Sequence, residues 1–117
     1  MKVTVSRKAE FDAAHFLPNY PGKCANLHGH RWVVEVGVKG EVNPVTGFVV
    51  DFTFLKKSLS FCIEDFDHSL INNRIDNPTA EHLIRYILTN FRVPEDTELE
   101  FIKIWETPDS CAEYKRE

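Results

Sequence analysis

His28-Gly29-His30, together with His15 further upstream, are the residues of this chain whose types and spacing can do chemistry. Neutral imidazole nitrogen is a borderline-soft donor that suits Zn²⁺. Three imidazoles with a fourth position left open make a catalytic zinc site rather than a structural one. On a strand, residues i and i+2 point the same way, so His28 and His30 would project side by side, about 6.5–7 Å apart along the chain. His15 shares the parity of the apolar residues on its own alternating segment. The bland reading is three unrelated histidines, each hydrogen-bonded in the core. An HxH pair on a strand plus a third histidine of matching parity favours the metal.

Four residues before His28 stands Cys24, in a turn-rich loop. Three readings are open for it: a fourth ligand closing a Cys-His₃ site, a small buried apolar residue, or a base or nucleophile whose thiolate a nearby metal favours. Cys62 lies on a helical apolar stripe and reads as core, and Cys111 opens a strand with no evident role. Asp67-His68 are neighbours in sequence, so they can act together only in a turn that lets the carboxylate reach the imidazole; the alternative is a solvated polar loop. Glu106 ends a strand on the parity of Ile102 and Ile104. A carboxylate on that face needs a partner: an ion pair, water, or a guanidine-like pair of N–H donors held in bidentate fashion. His82 falls off the main stripe of its helix and reads as a surface residue.

Elements to position these groups are legible in the hydrophobic pattern. Residues 2–16 and 28–39 alternate as strands, with His15 on one apolar face and His28, His30, Trp32, Val34, Val36 and Val38 on the other. Asp51 or Thr53 caps a helix over roughly 54–65, with Leu55, Leu59, Cys62, Ile63 and Phe66 as its stripe. A second helix starts near Asn77-Pro78-Thr79, with Leu83, Ile84, Ile87, Leu88 and Phe91 inward. Two strands follow, over roughly 98–105 and 111–116. Strands grouped in pairs around helices predict an α+β fold with an antiparallel sheet.

The chain's 117 residues fit one domain, 1–117, and its 43% hydrophobic content supplies a core. The net charge of −4, with no Lys/Arg cluster, argues against a nucleic-acid surface. No run approaches the length of a membrane span. Three scattered cysteines fit a reducing, cytoplasmic setting, and Met1-Lys2-Val3-Thr4-Val5 reads as a strand and not as a signal peptide.

Phe11-Asp12-Ala13-Ala14-His15, Cys24-Ala25-Asn26-Leu27-His28-Gly29-His30, Thr46-Gly47-Phe48-Val49-Val50-Asp51-Phe52, Asp67-His68-Ser69-Leu70-Ile71-Asn72, Asn77-Pro78-Thr79-Ala80-Glu81 and Trp105-Glu106-Thr107 occur in that order. In this the chain resembles the 6-pyruvoyl-tetrahydropterin synthase family over nearly its whole length. The three residues between Cys24 and the HGH resemble the 6-carboxy-5,6,7,8-tetrahydropterin synthase branch of queuosine and other 7-deazaguanine biosynthesis. The resemblance implies the tunnelling fold: a four-stranded antiparallel sheet with two helices on one face. Three subunits close their sheets into a barrel, two trimers usually stack, and active sites lie between subunits. The polar faces of the first two strands, from Thr4 to Asp12 and from Arg31 to Lys39, suit a solvated barrel interior. The implied substrate is 7,8-dihydroneopterin triphosphate, with Zn²⁺ held by His15, His28 and His30. Cys24 would move protons with Asp67 and His68 as relay partners, and Glu106, with Thr107 nearby, would hold the pterin. Two other classes stay open: a related enzyme, forming a pyruvoyl product without side-chain cleavage or taking an aldolase-like step, and a non-catalytic zinc-stabilised module with Cys24 as a permanent fourth ligand. The aldolase-like branch usually has glutamate near the position of Cys24, and the Asp67-His68 and Glu106 motifs argue against a purely structural zinc.

Overall fold

The computed structural model of the chain describes residues 1–117. Its spine is a long antiparallel ribbon. β1 (Lys2–His15) pairs with β2 (His28–Glu41) along its whole length, from Lys2 against Glu41 to His15 against His28. Then come α1 (Phe52–Ile63), a two-residue β3 (Ser69–Leu70), α2 (Ala80–Asn90), and the hairpin of β4 (Thr97–Thr107) and β5 (Ser110–Lys115). The sheet order is β3-β1-β2-β4-β5. The predicted α+β order of elements holds, but the sheet has five strands rather than four. The extra one, β3, runs parallel to β1, with Ala13 against Ser69 and Ala14 against Leu70. Two residues are too few for an alternation to announce a strand.

Local chemistry sets the helix starts. Asp51, not Thr53, caps α1: its carboxylate accepts from the Thr53 N–H at 2.8 Å. The helix therefore opens at Phe52, ahead of the expected start. Thr79 caps α2 by accepting from the His82 N–H at 3.1 Å, so the helix opens at Ala80 and Pro78 lies just ahead of the cap.

Both helices pack on one face of the sheet, as expected. Phe11, Trp32, Val34, Val36, Val38, Ile102 and Ile104 meet Leu55, Leu59, Cys62, Leu83 and Ile87 there. Leu88 departs from the predicted stripe and is 40% exposed, while Phe91 and Phe66 are buried. The other face carries the expected polar residues. Arg31 bridges Glu10 and Asp12, and the Ser6 hydroxyl donates to Glu35 at 2.8 Å. It is less uniformly polar than the alternation suggests. Val33, Phe101 and Trp105 share it, half-buried, with Lys8 over the Trp105 ring at 5.0 Å. The Phe101 ring lies so close to Gly37 that a Cβ there would come within 2.2 Å of it.

Replacing Leu59, fully buried under α1, with alanine is expected to cost ~2–5 kcal/mol of unfolding free energy, whereas Leu88→Ala costs less than about 1. Urea titration of both variants checks this; equal losses would place Leu88 back in the core.

Candidate metal centre and adjoining clefts

His15 ends β1 and His28 opens β2, and the two are cross-strand partners; His30 lies opposite Ala13. The register thus delivers three rings to one place. His15 Nε2 is 3.0 Å from His28 Nε2 and 3.3 Å from His30 Nε2. One ligand atom from each histidine falls in a set spanning no more than 4.8 Å. Ligand nitrogens about 2.0–2.1 Å from a tetrahedral ion stand about 3.3–3.4 Å apart, so the spacing fits a metal.

Tautomer supports the same conclusion. His15 Nδ1 lies 2.8 Å from the Pro78 carbonyl, and His28 Nδ1 lies 2.8 Å from the Asn26 carbonyl. A carbonyl only accepts, so each Nδ1 carries the proton and each neutral ring presents a lone pair at Nε2. His30 Nδ1 is 3.4 Å from the Arg31 carbonyl, a looser anchor. His15 is fully buried, the one polar side chain in the core. Burial holds its imidazole below the usual histidine range, against the opposing pull of the Pro78 carbonyl and Glu106. It is therefore neutral, and fit to ligate, at neutral pH. Converging lone pairs repel unless a cation lies between them, and the residues present fit Zn²⁺.

Clefts open on two sides of this cluster. One, of about 410 Å³, is lined by Leu17, Tyr20, Cys24, Glu81 and Glu106 among others. Cys24 rides on a short 3-10 turn, Lys23–Ala25, and its carbonyl accepts from the Leu17 N–H at 2.8 Å. Its sulfur is not a member of the converging donor set, which comprises the three histidines alone. Glu106 Oε1 stands 3.9 Å from His15 Nε2, with the side chain 30% exposed. The sequence hides one feature here: the β4–β5 register slips between Trp105 and Thr107, leaving Glu106 as the extra residue of a bulge. Bulges re-aim side chains, often beside functional sites.

The second cleft, of about 520 Å³, is lined by Asp12, Gly29, His30, Arg31, His68 and Ser69 among others. Asp67 and His68 do sit in a turn, and Asp67 Oδ1 is 3.0 Å from His68 Nδ1. The turn is clamped to β1: Asp12 N–H donates to Asp67 Oδ1 at 3.0 Å, and His68 N–H donates to the Asp12 carbonyl at 2.6 Å. The Asp12 N–H bond holds the Asp67 carboxyl below the usual carboxylate range, with His68 adding to it. His68 adopts a positive φ of 58°, and its side chain is 79% exposed. A non-glycine residue held there costs free energy, which the clamp sustains. The two clefts share no lining residue.

Thr107 is set apart from Glu106. Its hydroxyl accepts from the Asp109 N–H at 3.2 Å, and it lines a third cleft with Lys8, Trp105 and Pro108. Burial pushes the Cys62 thiol up to about 11, consistent with its core reading. Sequence reasoning passed over the Asn26 and Pro78 carbonyls, for which no side chain gives a signal. It also gave no role to Asn72, whose amide brackets Phe16 by accepting from its N–H at 3.0 Å and donating to its carbonyl at 2.9 Å. Tyr20 and Glu81, which line the Cys24 cleft, were likewise given no role.

A sequence model of the 6-pyruvoyl tetrahydropterin synthase family matches residues 4–117. The chain belongs to this family. It is 36% identical over 108 residues to the dihydroneopterin monophosphate aldolase of Pyrococcus furiosus, covering 91% of each chain. It is 32% identical to the 6-carboxy-5,6,7,8-tetrahydropterin synthase of Rickettsia conorii, over 95% of this chain and 99% of that one. Its fold superimposes on the Caenorhabditis elegans 6-pyruvoyl tetrahydropterin synthase with a TM-score of 0.83 at 29% identity, covering 100% of this chain and 97% of that one. The family membership confirms the tunnelling-fold subunit expected from the motifs. No helix is long and apolar enough to cross a membrane.

His28→Ala, which removes one of the converging nitrogens, is expected to lower zinc affinity by at least ~100-fold, and the His15/His28/His30 triple alanine variant to retain none. Metal analysis after dialysis reads both; stoichiometric zinc in the triple variant would contradict the assignment.

Proposed function

We propose that the chain is a zinc-dependent 6-carboxy-5,6,7,8-tetrahydropterin synthase. It would convert 7,8-dihydroneopterin triphosphate to 6-carboxytetrahydropterin, acetaldehyde and triphosphate, a cytoplasmic step of 7-deazaguanine formation. The observation that carries this reading is the cleft in which Cys24 and Glu106 meet beside the three histidines. A relative of that name is 32% identical over nearly the full chain.

Each residue has a role that its setting supports. Glu106, half-buried at the bulge, accepts two parallel N–H bonds from the pterin edge, the 2-amino group and a ring N–H; bidentate acceptance fixes the ring's orientation as well as its affinity. The histidines hold Zn²⁺, which when bound acts as a Lewis acid that stabilises negative charge developing on substrate oxygens. Cys24, outside the ligand set, is free to take and return a proton at the side-chain carbons. Thr107 shapes the hairpin that carries Glu106.

Asp67 and His68 open onto the other cleft, away from Cys24. Their service as its relay partners therefore runs between subunits. A neighbouring copy presents its exposed His68, oriented by Asp67, to the Cys24 cleft of the first. Closure of three sheets into a barrel would cover the exposed strand edges and bring such halves together.

A second reading rests on the 36% identity to an archaeal dihydroneopterin monophosphate aldolase. The two differ in what leaves the substrate. The synthase releases acetaldehyde and inorganic triphosphate, whereas aldolase cleavage releases a two-carbon aldehyde that keeps its phosphate and leaves a 6-hydroxymethyl pterin. Mass spectrometry of products from dihydroneopterin triphosphate is expected to show 6-carboxytetrahydropterin with equimolar acetaldehyde and triphosphate. A 6-hydroxymethyl or 6-pyruvoyl product would overturn the assignment. Cys24→Ala should keep its zinc and lose turnover by about 10²–10⁴-fold; lost zinc or near-normal turnover would remove Cys24 from this role.

The divided site gives its own test. Cys24→Ala and His68→Ala chains, each inactive alone, should regain about a quarter of the wild-type rate when unfolded and refolded together at equal amounts, because random assembly pairs an intact Cys24 with a neighbour's intact His68 at that frequency. No recovery in mixed oligomers would contradict the relay across subunits.

A further inference from the structure

We propose that His82 is a positioning residue for the metal centre, acting on His15 through the Asn77-Pro78 segment. The inference rests on the metal reading of the three histidines. His82 lies three residues beyond the Thr79 cap of α2, half-buried, and its Nδ1 is 2.6 Å from the Asn77 carbonyl. The acceptor is a carbonyl, so His82 Nδ1 carries the proton and donates it. The next carbonyl along the chain, that of Pro78, accepts the Nδ1–H of His15 at 2.8 Å. Two imidazoles, one a ligand and one not, thus grip adjacent carbonyls of one short segment.

The chemistry of that segment makes the grip consequential. The Asn77–Pro78 peptide has no N–H of its own, since its nitrogen belongs to proline. Its one polar handle is the Asn77 carbonyl, held by the His82 ring and by the Thr79 N–H at 2.9 Å. Proline fixes its own φ near −65°, and the Thr79 N–H to Asn77 carbonyl bond spans Pro78 and restrains its ψ, so setting the plane on its N-terminal side carries through to the aim of the Pro78 carbonyl. His15 is fully buried, so water has no access to replace a misdirected Pro78 carbonyl. Partners that orient a ligating histidine through its second nitrogen are worth 10–100-fold in metal affinity. His82 acts one link further out and shares its acceptor with Thr79, so its effect belongs at the lower end of that range.

The position has a further peculiarity. A capping box would place glutamate or glutamine at residue 82, reaching back to the N–H of the cap residue. Histidine instead reaches two residues past the cap and donates, which serves the Asn77 carbonyl and not the helix end.

Two substitutions separate donation from bulk. Asparagine places its Nδ2–H close to where the imidazole Nδ1–H stands, whereas leucine fills similar space with no donor. Apo-protein titrated with zinc against a chromophoric chelator should bind about 10-fold more weakly as His82→Leu than as wild type, and His82→Asn should recover most of that loss. The cobalt(II) visible spectrum should shift in His82→Leu and return in His82→Asn. Thermal melting of the metal-free proteins, compared across the three, reports any general loss of folding separately. A folded His82→Leu protein with wild-type zinc affinity would overturn the inference while leaving the metal centre intact. A His82→Asn protein as weak as His82→Leu would also overturn it, since donation would then not be what matters. A wild-type chain that takes up no zinc would remove the metal reading itself and this inference with it. None of these outcomes depends on which pterin product forms.

Discussion

Imidazole lone pairs brought to 3.0 and 3.3 Å of one another, with the opposite nitrogens of two rings committed as donors to backbone carbonyls, repel unless a cation lies between them. The remaining structure makes sense as the means of holding that repulsive arrangement in place. Long antiparallel pairing fixes His15 opposite His28, and the alternation of the pleat brings His30 to the same side. Burial beneath the helices keeps His15 dry and neutral. The segment before α2 and the turn before β2 supply the carbonyls that choose the tautomers.

The same pairing also builds the clefts. Because His15 and His28 close the loop of residues 16–27, that loop starts and ends at two of the converging histidines, and Cys24 is tethered beside them by the Leu17–Cys24 backbone bond. On the far side of the ribbon, the edge of β1 captures the Asp67-His68 turn through both polar backbone groups of Asp12. Chemistry-bearing groups therefore flank the triad on two sides. A single chain does not join them, and a symmetric assembly can.

Much of this was legible in the sequence because two periodicities carry it. A repeat of two on β1 and β2 told which side each histidine takes, and the 3.6 repeat of α1 and α2 told which side they cover. Glu106 was assigned to the correct face by parity with Ile102 and Ile104. What remained hidden has no side-chain signature. The bulge at Glu106 is a slip in backbone register, β3 is too short to alternate, and the Pro78 and Asn26 carbonyls are backbone atoms. Leu88 fits the helical stripe by spacing and yet is left 40% exposed, at the edge of the packed face. His82 looked like a surface residue because its acceptor is a carbonyl five residues away, which only the cap geometry of α2 brings within reach.

Whether the triad holds an open metal beside Cys24, or a closed one that includes it, decides between an enzyme and a zinc-stabilised fold. X-ray absorption at the zinc edge of the metal-loaded protein reads this directly, because nitrogen ligands lie at about 2.0–2.1 Å and sulfur at about 2.3 Å. The structure predicts three imidazole scatterers and no sulfur, in the wild type and in Cys24→Ala alike. A sulfur shell in the wild type that vanishes in Cys24→Ala would show the site closed by Cys24 and contradict the account.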